Sequence, residues 1–170
     1  KATGKNIIKQ LIQHYEDEEY RYKTPIQVGR VEVIELEGVG SVSANFDTGN
    51  SARVMLHADK VEIKDGMVIW EIEGSDNEFS MPKGKFKNKL IKMRKYERGA
   101  VNATTFERPM IHMNIKFLGT TYKDVECIID DRSEKVTKCL VNQTFMKLSN
   151  VMVNPSRKYV VTTQYSVEQK

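Results

Sequence analysis

The sequence predicts a mainly β domain, a small barrel or sandwich of many short strands, preceded by one amphipathic helix. Runs of roughly four to eight residues alternate apolar and polar side chains, which is typical of half-buried strands. Turn signals such as Asp65-Gly66 separate these runs. A long helical period occurs in one place, residues 4 to 22. Together these observations favour a β domain with one helical extension.

Length and composition are those of a single globular domain. The 170 residues suffice to bury a core, and 39% apolar against 29% charged residues argues against a disordered polymer. No stretch approaches the roughly 20 apolar residues of a membrane span, and no signal-peptide pattern opens the chain. We therefore expect no membrane partner and take the cytoplasm as the default location, with a virion-associated protein as the alternative.

The N-terminal region, residues 1 to 24, is predicted to be a helix and a linker. Ile8, Leu11, Ile12 and Tyr15 fall near one helical face, and Thr24-Pro25 ends the element because the residue before a proline disfavours helix. Residues 25 to 165 form the predicted β domain, and 166 to 170 form a tail.

The β domain begins with a predicted hairpin of Ile26 to Leu36 and residues 41 to 46. A second hairpin, residues 60 to 64 and 67 to 73, flanks Asp65-Gly66. A short helix is predicted over 143 to 148. Pro82 to Lys89 is predicted to be a polar, mobile loop. The remaining predicted strands are residues 90 to 96, 109 to 118, 121 to 129, 135 to 141, 151 to 153 and 158 to 164.

A basic cluster raises the question of nucleic-acid binding. Its lysines and arginines alternate with apolar residues, as in a groove that attracts phosphates and stacks bases, but a strand or loop with one solvated lysine face has the same pattern. The net charge of +4 is only mildly basic. We favour the solvated face and consider a nucleic-acid partner unlikely. The cluster is Lys83, Lys85, Lys87, Lys89, Lys92, Arg94 and Lys95.

Several common kinds of active site are not indicated. The three histidines, His14, His57 and His112, lack the spacing of a metal-binding helix; a metal site would need the fold to bring His57 to Asp130 or Asp131. There is no nucleophile elbow and no phosphate-binding loop. Both cysteines lie in apolar runs, where buried free thiols are expected. We therefore predict neither a metal nor a cofactor.

The strongest candidate for a catalytic site is Asp47-Thr48-Gly49. It follows an alternating strand with Val42, Ala44 and Phe46 on one face. In aspartic-protease chemistry two carboxylates share one proton, so that one acts as base and the other as acid on a single water. The glycine allows close backbone approach, and the threonine hydroxyl can brace a second copy. The simpler interpretation is a turn in which Asp47 bonds local backbone.

A single chain holds only half of such a site. No other Asp-Thr-Gly or Asp-Ser-Gly occurs in the 170 residues. If Asp47 is catalytic, a symmetric homodimer must supply the second carboxylate.

Short stretches spread in order along residues 26 to 161 resemble one protein family. They are Ile26-Gln27-Val28-Gly29-Arg30, Val42 to Gly49, Leu56-His57-Ala58, Glu107-Arg108-Pro109-Met110, Asp131-Arg132-Ser133 and Asn154-Pro155-Ser156-Arg157-Lys158-Tyr159. In this order they resemble the retropepsin-like aspartic proteases, and most closely the bacterial group labelled ATP-dependent zinc proteases. Nothing in the sequence supports the zinc of that label.

The resemblance implies a small retropepsin-like closed barrel acting as a homodimeric aspartic-type peptidase or amide-bond hydrolase on a peptide or protein substrate. It implies Asp47, Thr48 and Gly49 as catalytic residues and makes the Asp65-Gly66 hairpin a candidate flap over the substrate, the alternative being an ordinary hairpin. For His57 and Arg108 we favour structural roles, with Arg108 paired to Asp130 or Asp131.

Two departures from the family pattern keep an alternative open. Asn50 replaces the usual alanine, and Asn142 replaces a late glycine that packs behind the catalytic loop; asparagine is the residue after glycine that best tolerates positive φ. The alternative is a catalytically inactive retropepsin-like binding or assembly module, such as a structural subunit of a viral particle.

Overall fold

The computed structural model describes residues 4 to 21, 24 to 98, 101 and 104 to 163. In chain order the elements are α1 Gly4–Arg21, β1 Ile26–Leu36, β2 Gly40–Phe46, β3 Val54–His57, β4 Lys60–Lys64, β5 Met67–Ile72, β6 Gly84–Lys89, β7 Lys92–Arg98, β8 Thr104–Phe117, β9 Thr120–Asp130, β10 Cys139–Val141, α2 Gln143–Ser149 and β11 Val151–Lys158. The prediction of a mainly β protein is confirmed.

The N-terminal helix is present as predicted over α1. Its apolar side chains at Ile7, Ile8, Leu11 and Ile12 are each about half exposed. Within the described part of the chain, no helix is both long and apolar enough to cross a membrane. The predicted tail, 166 to 170, lies outside the described residues.

Six strands form a ring. Their order is β1-β2-β10-β3-β9-β8, and a short antiparallel pairing of Glu35 and Leu36 with Lys116 and Ile115 returns from β8 to β1. The strand β11 adds to β1 in parallel, and β7 adds to β8 on the other side. Every strand of the ring therefore has a partner on both sides, which leaves few open edges.

The ring encloses the hydrophobic core. Alternate residues of β1, β2, β8 and β9 point inward and are almost fully buried, as the period of two requires. Phe46, Phe117 and Phe145 meet at the centre with ring centroids 5.4 to 6.3 Å apart. Phe145 comes from α2, so this helix closes one end of the core.

A separate three-stranded sheet, β4-β5-β6, covers part of the ring. Its middle strand buries Val68, Trp70 and Ile72 against the main core. The Trp70 ring packs on Phe86 at 4.8 Å between centroids, and the indole N–H donates to Asn88 at 2.8 Å.

The predicted mobile loop from Pro82 to Lys89 is wrong, because most of it is the strand β6. Phe86 and Asn88 alternate with Lys85, Lys87 and Lys89, so the inner side chains contact Trp70 while the lysines are exposed. This alternation has the period of a strand, but the high lysine content favoured the prediction of a loop.

Two further strand predictions need correction. Val54–His57 forms β3, a strand that was not predicted from the sequence. The closing region is one strand, β11, rather than two, because Val151–Lys158 continues through Pro155 at the outer edge of the sheet, where a missing N–H is tolerated.

A buried carboxylate fastens the C-terminal segment to β1. Glu32 is fully buried and accepts hydrogen bonds from the amides of Gly29, Val160, Val161 and Thr162 and from the Thr162 hydroxyl, at 3.0 to 3.2 Å. Several donors are needed because burying a carboxylate without hydrogen bonds has a large unfavourable free energy. Residues 160 to 162 are therefore anchored in place without being a strand.

Candidate functional site

The Asp-Thr-Gly triad lies where β2 ends, in a tight turn. The Asp47 amide donates to the Val141 carbonyl at 3.3 Å, and the Asn50 amide donates to the Asp47 carbonyl at 3.1 Å. The Asp47 side chain is half-buried, and its Oδ1 accepts the Gly49 amide at 3.0 Å. The carboxylate is thus fixed to the loop through one oxygen.

Gly49 has a steric reason to be glycine. Its backbone does not adopt positive φ, but a Cβ at this position would lie 3.3 Å from Asp47 Oδ1. A side chain would therefore crowd the hydrogen bond that orients the carboxylate. Thr48 and Gly49 are both exposed, so this part of the loop faces the outside of the molecule.

Asn50 braces the second half of the loop. Its Oδ1 accepts the Ala52 amide at 2.9 Å, and its Nδ2 donates to the Arg53 carbonyl at 2.9 Å. Alanine at this position would leave both backbone groups without these partners. The departure from the family pattern at Asn50 is therefore accompanied by a local hydrogen-bonding role.

The strand β10 runs behind the loop, between the strands that enter and leave it. It pairs in parallel with β2, through Val141 opposite Phe46, and antiparallel with β3, through Leu140 opposite Met55. The loop of residues 47 to 53 therefore spans the end of β10. Gln143 donates two hydrogen bonds to the loop. Its backbone N–H donates to the Asn50 carbonyl at 2.8 Å, and its side-chain Nε2 donates to the Thr48 carbonyl at 2.7 Å.

Asn142 joins this loop to α2. Its Oδ1 accepts the Phe145 amide and so caps the helix, while its Nδ2 donates to the Ala52 carbonyl, both at 3.1 Å. The expectation that asparagine replaces glycine here for positive φ is wrong, because φ is −103° and ψ is 176°. Asn142 therefore contributes through the hydrogen bonds of its side chain and not through an unusual backbone conformation.

A shallow groove of about 730 Å³ adjoins the loop at Thr48. Pro25, just before β1, and residues from α2 and from β11 line its sides. Met152, which lines the groove, is 54% exposed. The surface beside the triad is therefore open and partly apolar.

The His57 side chain is buried at the opposite end of β3. Its Nδ1 accepts the Arg132 amide at 2.9 Å, so the proton of the neutral ring lies on Nε2, which donates to Asp59 Oδ1 at 3.0 Å. Both nitrogens are thereby occupied, as expected for a structural histidine. The alternative of a metal with Asp130 or Asp131 has no support, since the described residues contain no group of three or more ligands placed to hold a metal.

Arg108 pairs with Asp130, one of the two partners considered from the sequence. Arg108 Nε lies 2.6 Å from Asp130 Oδ1, and this hydrogen bond raises the pKa of the guanidinium. Asp130 is buried and also accepts the Tyr96 hydroxyl at 2.5 Å and the Asp131 amide at 2.8 Å. This arrangement stabilises the join between β8 and β9.

The candidate flap, Asp65-Gly66, is the two-residue turn between β4 and β5. Asp65 has φ of 52° and Gly66 has φ of 72°, the left-handed pair that such hairpins require. The Gly66 carbonyl accepts the Leu90 amide at 2.9 Å, which ties the turn to the end of β6. The hairpin follows β3 at its His57 end, whereas the triad precedes β3 at its Val54 end.

The sequence reading missed the residues that brace the triad loop. The side chains of Asn142 and Gln143 reach the loop from 90 and 95 positions along the chain, respectively. The usable signal was local: an asparagine three residues before Phe145 at a predicted helix start is a capping pattern. Cys127 and Cys139 are both free and buried, as predicted.

Comparisons with known proteins identify a fold relative. No family model and no curated protein matches the chain. Among solved structures the chain is similar to Lpg0085 of Legionella pneumophila, described as a protein with unknown function (DUF785). The match has a TM-score of 0.58 and 17% sequence identity, and covers 79% of this chain and 97% of that chain. At this identity the likeness concerns the fold alone.

Proposed function

We propose that this chain is an aspartic-type peptidase or amide-bond hydrolase that acts as a homodimer, with Asp47 of each subunit contributing one carboxylate. The observation that carries the proposal is the position of Asp47. It is half-buried on a loop that is hydrogen-bonded to both β10 and α2. An ordinary surface turn does not need hydrogen bonds from a strand and a helix that come much later in the chain.

The placement of β10 supports the retropepsin-like interpretation. In that family two apolar residues from late in the chain pack behind the catalytic loop, and here Leu140 and Val141 lie between β2 and β3 at that point. The family's glycine at the next position is replaced here by Asn142, whose Nδ2 donates to the Ala52 carbonyl and so links this segment to the loop.

The second subunit would approach over the exposed side of the triad. Thr48 and Gly49 are exposed, and the partly apolar groove beside Thr48 offers surface for a symmetric contact. A two-fold axis through this face would bring two Asp47 carboxylates together. The Thr48 hydroxyls would then be free to bond across the axis.

The chemistry follows from two carboxylates at hydrogen-bond range. Like charges so close cannot both ionise, so one Asp47 holds the shared proton and the other is ionised. The ionised carboxylate takes a proton from water as the water attacks the amide carbonyl, and the protonated one donates to the carbonyl oxygen. The Gly49 amide, 3.0 Å from Asp47 Oδ1, keeps each carboxylate oriented.

The test is a comparison of the wild-type protein with Asp47→Asn on a defined peptide mixture. A proteome-derived peptide library is incubated with each protein, and new termini are identified by mass spectrometry. We expect the wild type to generate new termini and Asp47→Asn to lose at least about 10³-fold in rate, since the variant removes the acid and base together.

Asp124→Asn is the matched control. Asp124 is exposed, and asparagine suits its φ of 53°, so this substitution removes one carboxylate without affecting the loop. Equal cleavage by wild type and Asp47→Asn would contradict the proposal. A wild-type dimer that generates no termini would favour the inactive binding or assembly module instead.

A further inference from the structure

The first strand of the small sheet, β4, is unusual for its exposed apolar side chains. Val61 and Ile63 lie on the inner face of the sheet, in register with the buried Trp70 and Val68 of β5. Yet Val61 is 42% and Ile63 43% exposed. Their neighbours on the same face are covered by the core, whereas these two side chains border an open groove.

The groove lies between β4 and the surface formed by β7, β8 and β9. It has a volume of about 340 Å³, within the range of pockets that hold small ligands or a few side chains. Its apolar lining is Ala58, Val61, Ile63, Met93, Pro109 and Ile129, of which Val61 and Ile63 are each more than 40% exposed. A row of apolar side chains in an open groove is suited to side chains from another segment.

No strand in the described part of the chain pairs with the edge of β4 that borders this groove. Lys64 and Met67 flank a two-residue turn and so form a hydrogen-bonded pair, as do Glu62 and Ile69 two residues further on. The N–H and C=O groups of Val61 and Ile63 therefore point away from β5. Since β4 is the outermost strand of its sheet, these groups face the open edge.

One end of the groove is acidic. Asp131 has a side chain that is 66% exposed, and Glu107 is exposed nearby. Hydrogen bonds from the Ser133 hydroxyl and amide hold the pKa of Asp131 below its usual range, so the carboxylate is charged at neutral pH. Arg108 does not offset this charge fully, because it is bound to Asp130.

We propose that this groove binds an extended segment of a partner protein, which adds as a fourth strand beside β4. The free backbone groups of Val61 and Ile63 pair with the segment, and alternate apolar side chains of the segment fill the groove. A lysine or arginine of the segment lies at the Val61 end, near Asp131. The segment therefore alternates apolar residues and carries a basic one.

This docking site is distinct from the candidate catalytic site. The groove adjoins the His57 end of β3, and the triad loop adjoins the Val54 end, three residue steps or roughly 10 Å away along the strand. The inference consequently does not rest on hydrolysis. It holds for an active dimer and for an inactive assembly module alike.

The first experiment measures amide hydrogen exchange of the free protein by NMR. We expect the Val61 and Ile63 amides to exchange at least about 10-fold faster than those of Glu62 and Lys64, because only the latter are bonded within the sheet. Slow exchange of Val61 and Ile63 at every concentration would mean that another segment of this chain fills the edge. Slow exchange at high concentration only would indicate a second copy. Either result overturns the proposal.

The second experiment selects binders from a displayed library of random heptapeptides, with Ile63→Asp as the counter-selected protein. Enriched peptides, synthesised with blocked ends, are expected to alternate apolar residues, to contain a basic residue and to slow exchange at Val61 and Ile63. Methylation of alternate backbone nitrogens should weaken binding roughly 10-fold or more, the effect of about one or two lost hydrogen bonds. A library that shows no preference for wild type over Ile63→Asp contradicts the proposal.

Two matched variants separate the groove from general effects. Ile69→Asp makes the same substitution on the opposite face of the sheet, and should leave peptide binding unchanged. Asp131→Asn should weaken the binding of a peptide that carries the basic residue several-fold. It should not change the binding of the same peptide with alanine in place of that residue. Equal loss in Ile69→Asp and Ile63→Asp would assign the effect to altered folding of the sheet, which rejects the groove.

Discussion

At the scale of single residues, the triad loop is held by side-chain amides. Asn50 and Asn142 between them bond four backbone groups, three in the loop and one at the start of α2. An amide side chain suits this task because it offers donors and an acceptor together. These two asparagines therefore hold the second half of the loop, while Gln143 and Val141 bond its first half.

Substitutions of Asn142 should separate its two hydrogen bonds. Asn142→Ser keeps an oxygen that can cap α2 but is too short to reach the Ala52 carbonyl, and we expect a loss of about 1 kcal/mol. Asn142→Ala loses both bonds and should cost about 1 kcal/mol more. Urea unfolding measures the difference, and equal losses in the two variants would show that the cap contributes nothing.

Cys139 makes stability depend on pH in the alkaline range. Burial raises the pKa of its thiol to about 12, whereas the unfolded thiol titrates at about 8.5. Between these values the unfolded chain loses a proton that the folded chain retains, so stability falls as pH rises, by up to about 1.4 kcal/mol per pH unit. Below pH 8.5 the contribution is fully present.

Cys139→Ala is the variant that isolates this effect. Chemical unfolding from pH 8 to pH 10.5 should show a steeper loss of stability in the wild type than in Cys139→Ala. Parallel profiles for the two proteins would mean that the thiol ionises freely in the folded state.

At the scale of elements, β11 depends on a close contact with β1. A Cβ at Gly29 would lie 2.7 Å from the Arg157 carbonyl oxygen and 2.9 Å from the Lys158 Cα, both backbone atoms that cannot rotate away. We expect Gly29→Ala to lower the free energy of unfolding by about 1–3 kcal/mol, because the strands must separate. Gly4→Ala is the control, since a Cβ there meets nothing within 4 Å. An equal effect of both substitutions on the unfolding midpoint would argue against the contact.

Elements with local signals were predictable from the sequence. The β1–β2 hairpin, the Asp65-Gly66 turn and the α1 helix each depend on residues close together in the chain. The strand β6 was missed because its lysines suggested a solvated loop, while the evidence for a strand was the alternation with Phe86 that covers Trp70. Charge alone does not decide between loop and strand when one face is exposed.

The candidate site was predictable in part. Asp47, at the end of an alternating strand, could be selected from sequence, as could a partner for Arg108. The insertion of β10 between β2 and β3 could not be derived from pattern, because strand order is set by packing over long separations. The same limit applies to the pairing of Arg132 with His57, 75 positions apart.

At the scale of the whole molecule, the proposed function requires two subunits, and subunit mixing tests that requirement. When wild type and Asp47→Asn exchange freely in equal amounts, about one quarter of dimers carry two Asp47 residues. We therefore expect about one quarter of the wild-type activity per total protein. Activity near one half would show that each subunit works alone, which contradicts a shared site. The exchange itself is followed with differently labelled subunits.

The position of β10 also sets the order in which the molecule can be assembled. The Asp47 amide bonds the carbonyl of Val141, 94 positions later, and the loop that holds Asp47 closes only on residues 142 and 143. Contacts of such long separation form slowly during folding. During synthesis the ribosome must therefore release residues 141 to 143 before the triad adopts its final geometry. A nascent chain that stops short of residue 143 carries Asp47 without the site, so any activity would be confined to chains that extend past it.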